Sequence, residues 1–161
     1  MIKNEISDQK KKLREKIWRV LEEKGIARFP LPLRDRIPNF EDSDRAAELV
    51  TTLPEWKKAK IVFSNPDFAQ QKVRELALKT GKTLIMATPK LKEGYLEINP
   101  KDVKNKEEQA STIAGAFKFG KKLEKLIKPD LIITGCVAVD KTGWRLGKGG
   151  GWGDREINTL T

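Results

Sequence analysis

The sequence predicts a three-layer α/β domain, a mostly parallel sheet with helices on both faces, and three observations lead there. Short apolar runs at residues 59–63, 83–87 and 131–139 read as strands buried on both faces. Amphipathic stretches separate them, and strands alternating with helices imply a sheet covered on each side. Turn and cap residues mark each change of period: Gly25 and Gly81 close helices, and Ser64-Asn65-Pro66-Asp67 opens one. A chain of 161 residues is long enough for a core without disulfides and short enough for one domain, spanning 1–161.

Taken in order, Ser7-Asp8 caps a helix that runs to about Lys24, with an apolar stripe of Leu13, Ile17, Val20 and Leu21 and with Trp18 beside it. Lys10 and Arg14 are four apart and share a face of that helix, which is either a solvated basic surface or one side of an anion site. Residues 27–40 carry three prolines with Arg34 and Arg36 and read as an extended surface connection. A short helix at 42–50 follows the connection. After the first core strand comes a helix at 68–80 with Val73, Leu76 and Ala77 inward. Residues 95–98 form a short strand, and 107–127 a long helix using Ile113, Phe117 and Leu123. The third apolar run then leads into the end of the chain.

Composition narrows the chemistry. Charged residues make up 35% and hydrophobic residues 38%, a Lys- and Glu-rich balance of the kind found in thermophilic proteins. A net charge of +10 favours anionic partners: nucleotides, polyglutamated cofactors or nucleic acid. With no His and one Cys, Cys/His metal sites and His-based nucleophilic catalysis are excluded. Cys136 sits within an apolar run and reads as a small buried hydrophobe. Chemistry is left to carboxylates, Lys/Arg, backbone donors or oxygen-bound Mg²⁺. No stretch has the length of a membrane span or the core of a signal peptide, so a cytoplasmic location is expected.

The strongest functional signal is the stretch 143–153, Gly-Trp-Arg-Leu-Gly-Lys-Gly-Gly-Gly-Trp-Gly, with six glycines in eleven residues. Glycines at that density cost backbone entropy; they permit positive φ and a close approach of N–H groups to an anion. Arg145 and Lys148 add charge, and Asp154-Arg155-Glu156 reads as the first turn of a helix. A strand, a basic glycine loop and a helix start form a phosphate cradle; the competing reading is a mobile surface loop. The spacing fits neither a P-loop nor a dinucleotide fingerprint. Ligands of α/β sheets sit outside the carboxyl ends of the strands. The loops 64–67, 88–92 and 143–153 should therefore converge on one cleft, where Lys90 and Lys92 either add charge or merely aid solubility.

Gly-x-Arg-Leu-Gly-Lys-Gly-x-Gly-aromatic-x-Asp, over Gly143–Asp154, resembles the ATP-binding loop of the 5-formyltetrahydrofolate cyclo-ligase (methenyltetrahydrofolate synthetase) family. Ser64-Asn65-Pro66-Asp67, Ala87-Thr88-Pro89-Lys90-Leu91 and Gly143-Trp144-Arg145 resemble its divergent methenyltetrahydrofolate synthetase domain-containing branch. The resemblance implies ATP- and Mg²⁺-dependent conversion of 5-formyltetrahydrofolate to 5,10-methenyltetrahydrofolate. It implies phosphate contacts from Lys10, Arg14, Arg145, Gly147, Lys148, Gly149, Gly150, Gly151 and Trp152, with Arg145 and Lys148 catalytic. Asp67 and Trp152 would meet the folate-like substrate, and Asp154 would bind Mg²⁺. Three departures stand out: Gly150 replaces a second lysine near the transferring phosphate, Ala69 falls where the family has a folate-contacting Glu, and the family continues beyond the position of Thr161. An incomplete C-terminal part with an open sheet edge, available to a second copy, is expected on that comparison.

Three functions follow as expectations: an ATP-dependent cyclo-ligase, a catalytically weak nucleotide- or folate-binding domain, and an RNA-binding module. The last draws on the charge and on Trp144 and Trp152 interleaved with Arg and Lys, with no RNA-binding motif behind it.

Overall fold

The computed structural model describes residues 1–161. Its elements are α1 (Ile2–Glu23), β1 (Ala27–Arg28), β2 (Asn39–Phe40), α2 (Ser43–Val50), α3 (Pro54–Lys58), β3 (Ile61–Ser64), α4 (Gln71–Lys79), β4 (Thr83–Ala87), β5 (Tyr95–Ile98), α5 (Glu107–Ala110), α6 (Ile113–Phe119), β6 (Lys121–Lys122), β7 (Leu131–Ile133), β8 (Ala138–Val139), β9 (Arg145–Leu146) and α7 (Trp152–Leu160). Five strands form the main sheet in the order β6-β5-β4-β3-β7. The pairs β3–β4 and β3–β7 are parallel, and β4–β5 and β5–β6 are antiparallel. The α/β class is therefore present with a mixed sheet, and its parallel half carries the loops of interest.

Alternation along the strands makes the three layers. Val62, Leu84 and Met86 point to one face, where Trp56, Val73, Ala77 and Leu78 of α3 and α4 cover them. Phe63, Ile85 and Ala87 point to the other, against Leu160 of α7 and the half-buried Leu123 and Leu126. Burying each large side chain contributes roughly 1.5–3 kcal/mol. Asp130 then locks the start of β3, its Oδ2 accepting from the N–H groups of Lys60 at 2.8 Å and Ile61 at 2.9 Å. These bonds hold its carboxyl below the usual carboxylate range.

Several expectations are corrected. Helix α1 begins at Ile2, leaving Ser7-Asp8 inside it, because no breaker separates residues 2–7. Trp18 is its buried residue, while Leu13 is exposed. The predicted helix 107–127 is two short helices and a strand. Ser111-Thr112 breaks it, with Thr112 Oγ1 accepting from Gly115 N at 2.9 Å. A Cβ on Gly115 would lie 1.7 Å from the Gln109 carbonyl oxygen, so the two helices cross too closely for any other residue. Gly120 then leaves the helix in an extended conformation, φ −82 and ψ 163. The predicted strand 131–139 ends at Ile133 and resumes at 138–139 as one arm of the β8–β9 hairpin. Residues 131–136 are half-buried, because β7 lies at an edge of the sheet and not in its interior. The helix α3 was not foreseen at all. No helix is long and apolar enough to cross a membrane.

Candidate functional site

A cleft of about 460 Å³ opens at the carboxyl ends of β3, β4 and β7. It is lined by Asn65–Phe68 after β3, Thr88–Leu91 after β4, and residues of the glycine loop and α7. The three loops thus meet. A fourth contributor is the 27–40 connection, whose Arg34, Arg36 and Ile37 line the same cleft and do not merely cross the surface. Lys90 faces the cleft; Lys92 is not among its lining residues.

Packing brings α1 to the site. Trp18 clusters with Leu33 and Val137, with Ile17 and Leu21 packed around them. Its indole N–H donates to the Arg36 carbonyl at 3.0 Å, and Glu22 Oε1 accepts from Leu33 N–H at 2.7 Å. With Trp18 fixed, Arg14 one turn earlier reaches the glycine loop and donates from Nε to the Gly147 carbonyl at 2.6 Å. Its guanidinium also stands 3.9 Å from where a Cβ of Gly149 would be. Lys10 lies one further turn back, exposed, on the face that Arg14 defines.

The loop itself leaves donors free. None of the N–H groups of residues 147–151 donates to a backbone carbonyl. Gly149 and Gly151 have φ of 118° and 72°, which only glycine adopts without strain. Gly151 caps α7, so these donors sit at the positive end of the helix. Arg145 pairs with Asp154 at 3.2 Å. Helix α7 starts at Trp152, two residues before the predicted turn. Trp152 lines the cleft, stacks 5.1 Å from the Arg155 guanidinium and lies over Gly150. A Cβ at Gly150 would be 2.7 Å from Trp152 Cδ1, so the indole fills the room a side chain at 150 would need.

The cleft also holds polar residues, of which sequence reading placed Asn65 there only with the loop 64–67 and named Asp67 alone as a site residue. Leu160 seats α7 on the sheet, and Glu156, one turn earlier on the same face, points inward, 4% exposed. It accepts a short hydrogen bond from Asn65 Nδ2. Burial pushes the Glu156 carboxyl up; the Asn65 bond and Lys148 oppose this, and the Asp67 charge adds to it. Burial also raises Asp67, against Lys148 and Arg74. Arg74, 1% exposed, donates to the carbonyls of Ser111, Asn65 and Asp67 at 2.8, 2.7 and 2.8 Å. Burial lowers its pKa to about 10, so it stays charged. Asn65 comes with the loop 64–67 and Glu156 with the helix start after the glycine loop, but nothing in the sequence marks Gln70 or Thr134, and only the fold brings the four near Gly135 and α7.

The model of the 5-formyltetrahydrofolate cyclo-ligase family matches residues 6–161. The methenyltetrahydrofolate synthase domain-containing protein of Bos taurus is 37% identical over 155 residues, covering 91% of this chain and 40% of that protein. The protein of the same name from Danio rerio is 35% identical over 161 residues, covering 97% and 42% respectively. That of Homo sapiens is 36% identical over 155 residues, covering 91% and 40%. The chain spans about two fifths of the length of these curated relatives. The chain belongs to the 5-formyltetrahydrofolate cyclo-ligase family.

Proposed function

We propose that this domain holds MgATP on its glycine loop and a formylated reduced folate in the adjoining cleft, and that it works as a slow cyclo-ligase. The observation that carries this reading is the meeting at one cleft of a basic loop, whose five backbone N–H groups donate to no carbonyl, with the carboxyls of Asp67 and Glu156. Bound ATP supplies the phosphoryl group that turns the formyl oxygen into a leaving group, so that N10 can close the ring and phosphate depart.

The chain's own part is positioning and charge. Residues 147–151 offer backbone donors to phosphate oxygens. Arg14, anchored through Nε, keeps its terminal nitrogens free for an anion, and Lys10 lengthens that face. Arg145, held by Asp154, and Lys148 carry charge to the transferring phosphate. The residues suit Mg²⁺ carried in by the nucleotide: Asp154 is an exposed carboxylate in the first turn of α7, and no group of three acidic, Cys or His side chains forms a protein cage. Mg²⁺ commonly takes one or two carboxylates with phosphate oxygens and water.

Slow turnover follows from position 150. Glycine there removes a cation from the transferring phosphate, a loss of roughly 2.7–4 kcal/mol by comparison with a missing oxyanion donor. Calorimetric titration with MgATP and with 5-formyltetrahydrofolate tests the reading. Both should bind, and Arg145→Ala should weaken MgATP by about 1.5–3 kcal/mol, the worth of one charge-assisted contact. Binding of neither ligand would refute it.

A further inference from the structure

The largest of the fully buried side chains is a charged one, Arg74 of α4. A guanidinium is costly to take out of water, and a paired carboxylate is the common compensation. Arg74 enters none of the chain's ion pairs. Its donors go to backbone carbonyls instead: Nη1 to those of Asn65 at 2.7 Å and Asp67 at 2.8 Å, and Nε to that of Ser111 at 2.8 Å. The Asp67 charge supports its protonated form through space.

Those three carbonyls belong to two walls of the cleft. Asn65, Pro66 and Asp67 follow β3, and all three line it. Pro66 has no N–H, so this turn has one donor fewer with which to hold itself. With the carbonyls of 65 and 67 turned to one guanidinium nitrogen, the Asn65 amide reaches Glu156 on α7. Ser111 closes α5, and Ile113, two residues on, lines the cleft from the start of α6. Arg74 thus clamps the loop after β3 to the break between α5 and α6.

We infer that Arg74 is a positioning residue of the cleft: its fork fixes the backbone at 65–67 and 111, so that Asn65, Asp67 and Ile113 are presented to the ligand. Arg74 itself is not among the lining residues and acts only through them. The inference rests on the folate reading for the identity of the ligand. A guanidinium offers several donors at fixed angles, which a lysine ammonium on its flexible stem does not reproduce. Its charge has a second effect. Asp67 is faced by Arg74 from α4, by Lys148 from the glycine loop and by Glu156 from α7, and Arg74 and Lys148 both favour its ionised form.

The test compares Arg74→Lys and Arg74→Gln with the wild-type chain, each checked for folding by circular-dichroism melts. The readouts are amide exchange at Asn65, Asp67 and Phe68, carboxyl titration of Asp67 by NMR, and calorimetric titration with 5-formyltetrahydrofolate and with MgATP. Both variants should loosen the three amides and weaken 5-formyltetrahydrofolate by roughly 10–100-fold, the scale of a small misplacement in a site. MgATP, held by the glycine loop, should be little changed. Arg74→Gln should also move the Asp67 titration upward, which a merely structural role would leave in place. The inference falls if the folded variants bind 5-formyltetrahydrofolate as the wild type does, if MgATP weakens as much, or if Asp67 titrates unchanged in Arg74→Gln. It falls too if neither variant folds, since Arg74 is then a core residue and nothing more. If the amides loosen and Asp67 shifts but the wild type binds no 5-formyltetrahydrofolate, the positioning role stands and the folate reading falls.

Discussion

The two sides of β4 face opposite demands. Towards β5, Leu84, Met86, Leu96, Ile98 and Val103 form a fully apolar cluster with Leu78 of α4. Towards β3 and beyond its carboxyl end, Asn65, Gln70, Arg74 and Glu156 are also buried, yet polar. Three buried polar atoms there find no partner. Each such atom costs about 1–3 kcal/mol, so the fold tolerates there a penalty that it avoids a strand away. The difference separates a region packed for cohesion from one whose buried polar groups are incompletely paired, which suits the proposed ligand site.

The comparison breaks most visibly in the apolar half. Ile98→Ala should destabilise the chain by about 2–5 kcal/mol, read from urea unfolding, because its side chain is completely enclosed. Its effect on ligand affinity of the folded protein should be negligible. A loss well under 1 kcal/mol would show that the cluster is not the cohesive half.

A smaller effect sharpens the comparison from the other side. Glu156 and Asp67 have raised carboxyl pKa values, so the native state binds more protons than the unfolded one just above the ordinary carboxylate range. Stability from these groups is complete below the unfolded pKa and lost as pH rises through the folded one. Glu156→Gln removes one titrating group, so its melting temperature should gain on the wild type between about pH 4 and pH 7. Parallel melting curves with a pH-independent gap would show that burial does not strain this carboxyl.

Legibility in the sequence followed the same division. Val62, Phe63, Leu84 and Ile85 announce their strands because alternate burial on two faces leaves an apolar run. The glycine loop is legible because its residue types have few other uses. The breaks at Ser111-Thr112 and Gly120 were hidden, since helical periodicity continues through residues whose termination depends on contact with Gln109 and on β6 pairing with β5. The β8–β9 hairpin was hidden because an apolar run does not show where a strand leaves the sheet. Glu156 was read only as a helix-start residue; its inward direction depends on Leu160 docking four residues later.

The most direct measurement is cyclisation itself: 5-formyltetrahydrofolate with MgATP and the chain, followed by the near-ultraviolet absorbance of the methenyl product. A typical enzyme turns over at about 10 s⁻¹, and losing the second lysine should cost two to three powers of ten, so about 0.01–0.1 s⁻¹ is expected. The signal should require ATP and fall further in Arg145→Ala. Turnover near 10 s⁻¹ without that lysine, no product with both ligands bound, or an Arg145→Ala rate equal to the wild type would contradict the proposed site.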